Sequence, residues 1–390
     1  MGQPREEILV GAYHQMGHHS QNLLSDPELA NYRGAILSPV NYREADVIGQ
    51  IQTSRAYQEF ETVFDPQLYY PSSQRGVLRE WAYFPSDVDT ADLNSSAWWG
   101  RIIDRIATTC EQIEPSAVCS PAVVPRVFNS DYFARLVDVA GSLCTRLSGS
   151  DISPIQTALV GFDDLTAPDR ALEIGSILSA SPCDRMYLVF SGTTHPRREL
   201  AEVESIKGAM QLIAALSGSE IDVIVGFCSS DIVLWKAAGA SSCATGKFFN
   251  LRRFTSSRFE EPSQGGGQLP YWFEESLLAF LRESDLVRIK NRGLLSSASQ
   301  ENPFGERILE QLSSQAGTAW VGLGWRQFMY WFLDFEKRFD RGRVNVQTLL
   351  SNSENEWRTL DDAVVLMEER QNDGTWLRAW RRALAEFATS

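Results

Sequence analysis

The feature that most constrains this chain is an alternation. Short β-branched and apolar runs recur at residues 8–14, 35–40, 62–68, 117–124, 157–162, 186–191, 222–227 and 242–246. Each is strand-sized, and most are followed by a stretch with apolar residues three and four apart. The helical stretches fall at 43–60, 131–147, 170–180, 199–216 and 271–283. Strand, helix, strand in succession implies a parallel sheet with right-handed crossovers, because a tight hairpin cannot bring the chain back to the same end. Eight such units are the number at which a parallel sheet closes, so the expected fold class is α/β, a (β/α)8 barrel of the TIM type. The rival is an open doubly wound sheet. Against it, no candidate strand is followed by a Gly-x-Gly-x-x-Gly turn, and the triple glycine at 265–267 lies in a loop past the last strand.

Beyond residue 290 the texture changes. The chain loses its β-runs and concentrates Trp320, Trp325, Trp331, Trp357, Trp376 and Trp380. We therefore divide it into a barrel over 1–290 and a helical, Trp-rich C-terminal segment over 291–390. The stripe of Trp325, Phe328, Tyr330, Trp331, Phe332, Phe335 and Phe339 has partly helical spacing, which suits packing on the barrel. The other use of such a stripe is a face for a protein partner.

Composition narrows the function classes. A chain that is 43% hydrophobic can bury a full core, yet no apolar run approaches the roughly eighteen residues of a membrane span. The N-terminus has no basic region leading into an apolar one, so the expected location is cytoplasmic. A net charge of −14 opposes wholesale contact with a phosphate backbone, which confines any nucleic-acid contact to a focal basic site. Six scattered cysteines, Cys110, Cys119, Cys144, Cys183, Cys228 and Cys243, show neither Cys-x-x-Cys spacing nor flanking histidines. They read as free thiols, with no metal and no cofactor implied.

In a parallel barrel the reacting groups sit where strands end, because those loops share one mouth. Asp65 precedes Pro66, which holds it in extended geometry at the end of the third run, and is a candidate general base or acceptor, with Tyr69 beside it. Asp163 ends the fifth run and is a candidate second carboxylate; Arg126 follows the fourth. His14, His18 and His19 have a His-x-x-x-His spacing but lack the glutamate of a zinc protease motif, and His195 lies in a loop with no partner nucleophile. The most coherent group is late. Ser229 opens a helix, Gly246 allows close approach to the backbone, and Lys247, Arg252 and Arg253 supply positive charge, together reading as an anion site.

The Asp-Pro-x-x-Tyr strand end at residues 65–69 and the Gly-Ala-x-x-x-Ala-Thr-Gly run at 239–246 resemble those of uncharacterised bacterial barrel proteins. The chain is also distantly similar to tRNA-guanine transglycosylases, which place an aspartate near an early strand end and an arginine-bearing loop, here 252–258, after late Gly-rich strands. That family's late-strand aspartate nucleophile has no counterpart in 245–250, and its clustered zinc ligands are not matched. The resemblance implies a barrel. The residues imply a protein that binds a phosphorylated or nucleotide-like ligand at the mouth, and transglycosylase-like chemistry is what the resemblance would add. The alternative is a non-catalytic scaffold subunit of a multi-protein bacterial complex, of the antiviral defence type, docking through its C-terminal helices.

Overall fold

The computed structural model describes residues 11–20, 25–57, 59–260, 269–314, 320–368 and 372–389. Eight parallel strands close into a barrel in sequence order: β1 (Tyr13–Gln15), β2 (Gly34–Leu37), β3 (Glu61–Phe64), β4 (Ala117–Cys119), β5 (Ser153–Gly161), β6 (Arg185–Ser191), β7 (Asp222–Val225) and β8 (Ser242–Thr245), with β8 pairing back onto β1. Every expected run overlaps one of them; the part of the first run at 8–10 lies outside the described residues. The strands are shorter than most of the runs because several lose their ladder partners on reaching the mouth, where the polar strand ends bond to loops instead.

The crossover helices are α1 (Glu44–Ser54), α2 (Ser96–Ile113), α3 (Ser130–Arg146), α4 (Arg170–Leu178), α5 (Val203–Gly218) and α6 (Ile232–Ala237). The α2 helix was not among those expected, although it carries a clear apolar stripe of Trp99, Ile102, Ile103, Ile106, Cys110 and Ile113 and is capped by Ser95, whose side chain accepts from the Trp98 amide.

Side-chain alternation settles what fills the barrel. The register pairs Tyr13 with Gly34, Gly34 with Glu61, and Arg185 with Asp222, which puts Tyr13, Glu61 and Arg185 on the inward face at the bottom. There Arg185 donates to both Glu61 oxygens and to the Tyr13 hydroxyl, and Tyr13 in turn donates to Glu61. One layer up, the Tyr187 hydroxyl donates to Gln15 Oε1 at 2.7 Å. The interior is therefore a packed, partly polar column, and only its upper end faces the mouth loops.

After β8 the chain departs from expectation once. Residues 271–283 form a hairpin, β9 (Trp272–Glu274) and β10 (Ala279–Leu281), where a helix was expected. The cause is tertiary. Gln327 binds both the amide and the carbonyl of Phe273, and Leu278 takes a left-handed conformation with φ of 49° to turn the chain. Among the described residues six helices follow: α7 (Glu283–Asn291), α8 (Ser297–Glu301), α9 (Pro303–Ser313), α10 (Val321–Asp340), α11 (Val346–Asp362) and α12 (Thr375–Phe387).

These C-terminal helices share one continuous core with the barrel. The α10 helix packs against β8 and the turn that follows β1: the Tyr32 hydroxyl donates to Met329 O, and Glu336 accepts from the Cys243 amide. Trp320, Trp331, Trp357, Trp376 and Trp380 are buried, and Trp380 bonds to Leu200 O at the start of the α5 region. Of the aromatic stripe, Phe328, Trp331, Phe332 and Phe335 are buried, while Trp325, Tyr330 and Phe339 are half-buried. No helix among the described residues is long and apolar enough to cross a membrane.

Candidate functional site

The loops after β1, β2, β3, β6 and β8, together with the start of α10, enclose a cavity of about 850 Å³ at the C-terminal mouth. Its lining includes five cationic side chains, Arg75, Arg197, Lys247, Arg252 and Arg258, with His18 and His195. Among the described residues that line it there is no aspartate or glutamate. In a chain of net charge −14 this is a local reversal of sign. Four half-buried aromatic residues, Phe248, Phe249, Tyr271 and Trp325, complete the wall.

How each cation is held decides what it can offer. Arg252 is buried, donating from Nε to Gly246 O at 2.8 Å and from Nη2 to Lys247 O at 3.1 Å, with its guanidinium 3.9 Å from the centre of the Phe328 ring. It organises the loop after β8. Lys247 spends one of its three donors on His19 O at 3.1 Å and lies 4.6 and 4.8 Å from the Phe248 and Trp325 ring centres. Burial, assisted by the charge of Arg326, pushes its ammonium down to about 8. Arg253 does not line this cavity. It faces the β5–β7 side, 3.2 Å from Asp231 and 3.6 Å from Glu199, whose carboxyl burial pushes up to about 7. Of the late cation group, Lys247 and Arg252 line the cavity and Arg253 does not.

The structure adds cations from elsewhere in the sequence. Arg75, in the loop after β3, makes no ion pair among the described residues, and Arg197, after β6, donates to the Tyr271 hydroxyl at 3.0 Å. Arg258 forms part of the floor. Their signal in the sequence was only position, loops after strand ends, shared by many residues that do not reach the cavity.

Beneath the floor lies Asp65. Arg258 Nη2 and Asn41 Nδ2 both donate to Ser38 Oγ, at 3.0 and 3.2 Å, and Ser38 donates to Gln67 Oε1 at 3.1 Å, which fills that hydroxyl's capacity. The Gln67 amide and the Tyr69 hydroxyl then donate to the two Asp65 oxygens, each at 3.0 Å. Burial raises the Asp65 pKa from 3.8 to about 6, with these bonds and the nearby Arg258 charge opposing the rise. Asp65 and Tyr69, expected at the mouth as reacting group and ligand contact, instead bond to each other one layer below the cavity and do not line it.

The other sequence candidates are dispersed. Asp163 is exposed, opens a short turn after β5 and lies by the small Arg253 pocket; Arg126 is exposed on the loop after β4. Ser229 is buried with its amide bonded to Asp231 Oδ1, so it offers no unpaired helix N-terminus, and α6 is only six residues long. Gly246 is required by packing: a Cβ there would lie 2.6 Å from both Gln15 O and Leu251 Cβ. His14 points out of the barrel toward Tyr32, while His18 and His19 are exposed at the mouth, so the three do not converge. No group of three or more metal-ligating side chains occurs among the described residues.

No protein-family model matches the chain, and no curated protein matches it significantly. The tRNA-guanine transglycosylase resemblance gains nothing from these comparisons. Solved structures similar to it are barrel enzymes. An HpcH/Hpal aldolase/citrate lyase family protein from Burkholderia cenocepacia is 11% identical, with 62% of this chain and 90% of that one covered and a TM-score of 0.37. An L-ribulose 3-epimerase is 12% identical, covering 86% and 99%, with a TM-score of 0.40. An O-GlcNAc hydrolase from Thermobaculum terrenum is 11% identical, covering 97% and 94%, also at 0.40. At such identities and TM-scores these likenesses carry no argument, and it is the strand order that establishes this chain as a TIM barrel with C-terminal helices.

Proposed function

We propose that this protein binds a phosphorylated, nucleotide-like ligand in the cavity at the C-terminal mouth of its barrel. The observation that carries the reading is the concentration of five cationic side chains, with no carboxylate among the described lining residues, in an acidic protein. Like charges gathered without counter-charges raise the free energy of the empty site, and an anion relieves that repulsion. Arg75 and Lys247 are the direct contacts we assign. Arg252 shapes the loop that presents Lys247.

Transglycosylase-like chemistry through a carboxylate nucleophile finds no such group among the described lining residues. Asp65 has a raised pKa of a kind that suits acid–base work near neutrality, but it lies one layer below the cavity, where the Gln67 backbone amide that it binds and the Gln67 side chain that reaches Ser38 are separate groups. The scaffold reading takes no support from the C-terminal tryptophans, most of which are buried within the chain.

Thermal unfolding with and without inorganic phosphate or a nucleotide tests the reading. A ligand at about a hundred times its Kd stabilises the folded state by about 2.7 kcal/mol. Arg75→Ala and Lys247→Ala should each shrink the rise in melting temperature while the unliganded variants still unfold cooperatively. Added salt should weaken it, though less than for an exposed patch. A melting temperature indifferent to all anions, or a rise that survives both substitutions, refutes the proposal.

A further inference from the structure

We propose that the ligand is a nucleoside polyphosphate, with its base stacked on the wall formed by Phe249 and Tyr271 and read by Asn250, and its phosphates on the side of Arg75 and Lys247. This rests on the anion reading above and adds the identity of the uncharged half of the ligand.

The cavity has two chemically different sides. On one, Arg75, Lys247 and Arg258 come together with His18 from the loops after β1, β3 and β8. Their charges act on one another: the His18 pKa is held down by burial and then by His19, Lys247 and Arg75, and Arg75 also acts on Arg258. A run of phosphates matches several cations spread over neighbouring loops better than a single phosphate does.

The other side carries aromatic rings together with Arg197, which donates to the Tyr271 hydroxyl at 3.0 Å. Phe249 begins the short turn Phe249–Leu251, and its ring meets Tyr271 edge to face with centroids 5.1 Å apart. Both rings are half-buried and line the cavity. They are held from within the protein, Arg252 standing 5.2 Å from the Phe249 centroid and Arg282 5.0 Å from that of Tyr271. Rigid, partly exposed rings beside cations are surfaces on which bases stack.

Asn250 supplies a second, independent observation. It follows Phe249 and lines the same cavity, yet its carboxamide oxygen is buried with no hydrogen-bond partner. An unfilled buried acceptor is costly, and a donor from a ligand in the cavity would remove that cost. A carboxamide presents a donor beside an acceptor, the pattern complementary to an adenine edge. A cavity of about 850 Å³ lies within the range of sites that enclose such molecules.

Calorimetric titration in metal-free buffer, with adenosine triphosphate and with inorganic tripolyphosphate, separates the two halves of the claim. The nucleotide should bind about tenfold more tightly than tripolyphosphate, the gain expected from one stacked and hydrogen-bonded base. Asn250→Ala should bring the ratio of the two affinities toward one. Tyr271→Leu should do the same and serves as the second variant if the first fails to fold. If both probes bind with equal affinity, or the nucleotide's advantage survives both substitutions, the base site is overturned while the anion reading stands. If neither probe binds, the anion reading fails and this inference falls with it.

Discussion

Replacing Asp65 by asparagine isolates the balance that the barrel interior strikes around one carboxyl. The side chain is fully enclosed, and burial lifts its pKa from 3.8 to about 6 against the pull of two hydrogen bonds and the Arg258 charge. A group whose folded pKa lies above its unfolded one binds its proton more tightly when folded. Its contribution to stability is then complete below about pH 4 and is lost as pH rises through about 6. From 3.8 to about 6, at 1.36 kcal/mol per pH unit, the loss is about 3 kcal/mol. Asp65→Asn removes the charge, keeps the shape and leaves an acceptor for the Gln67 amide, while the Tyr69 hydroxyl can rotate to accept from the new amide group. Urea unfolding of both proteins across pH 4 to 8 should show the variant gaining on the parent by roughly 2–3 kcal/mol as pH rises. Taking the difference between the two proteins cancels Glu199 and Glu336, whose raised pKa values also make the parent less stable toward neutral pH. A variant that loses ground as pH rises would refute the reasoning, because it would mean that the ionised carboxylate and Arg258 stabilise each other more than burial costs.

Two further outcomes follow from the buried chemistry outside the cavity. Lys236 Nζ bonds Ser241 O at 2.9 Å and pairs with Asp340 at 2.8 Å and the buried Glu336 at 3.4 Å. Lys236→Met strands Glu336, whose carboxyl burial already pushes up to about 7, and should cost about 3–5 kcal/mol at pH 8 and clearly less at pH 5, where Glu336 takes up a proton. Urea unfolding at the two pH values checks this, and an equal cost at both would contradict it. All six cysteines are free, so six thiols should titrate in denatured, unreduced protein. Cys144 Sγ and Cys183 Sγ lie 3.2 Å apart, so mild peroxide should join this pair first, with loss of two hydrogens by intact mass; oxidation beginning at another cysteine would show the proximity to be without consequence.

The barrel was legible in the sequence because burial in a parallel strand and in an amphipathic helix leaves local patterns, a solid apolar run and a stripe of three and four, that survive without knowledge of neighbours. Asp65 was legible for a similar reason, since the following proline confines it to an extended strand exit and Tyr69 lies four residues on. What only the tertiary structure decided is which polar groups remain available. Lys247 meets a carbonyl at residue 19 and Arg253 meets Glu199, whereas Arg75 meets no carboxylate among the described residues, and nothing local to these side chains distinguishes them. The hairpin at 272–281 is likewise held by Gln327, some fifty residues away, against a stretch that by itself reads as helix. Apolar burial is a property of a segment's own periodicity. The spending of a charge or a hydrogen bond depends on a partner that only the closed fold brings within reach.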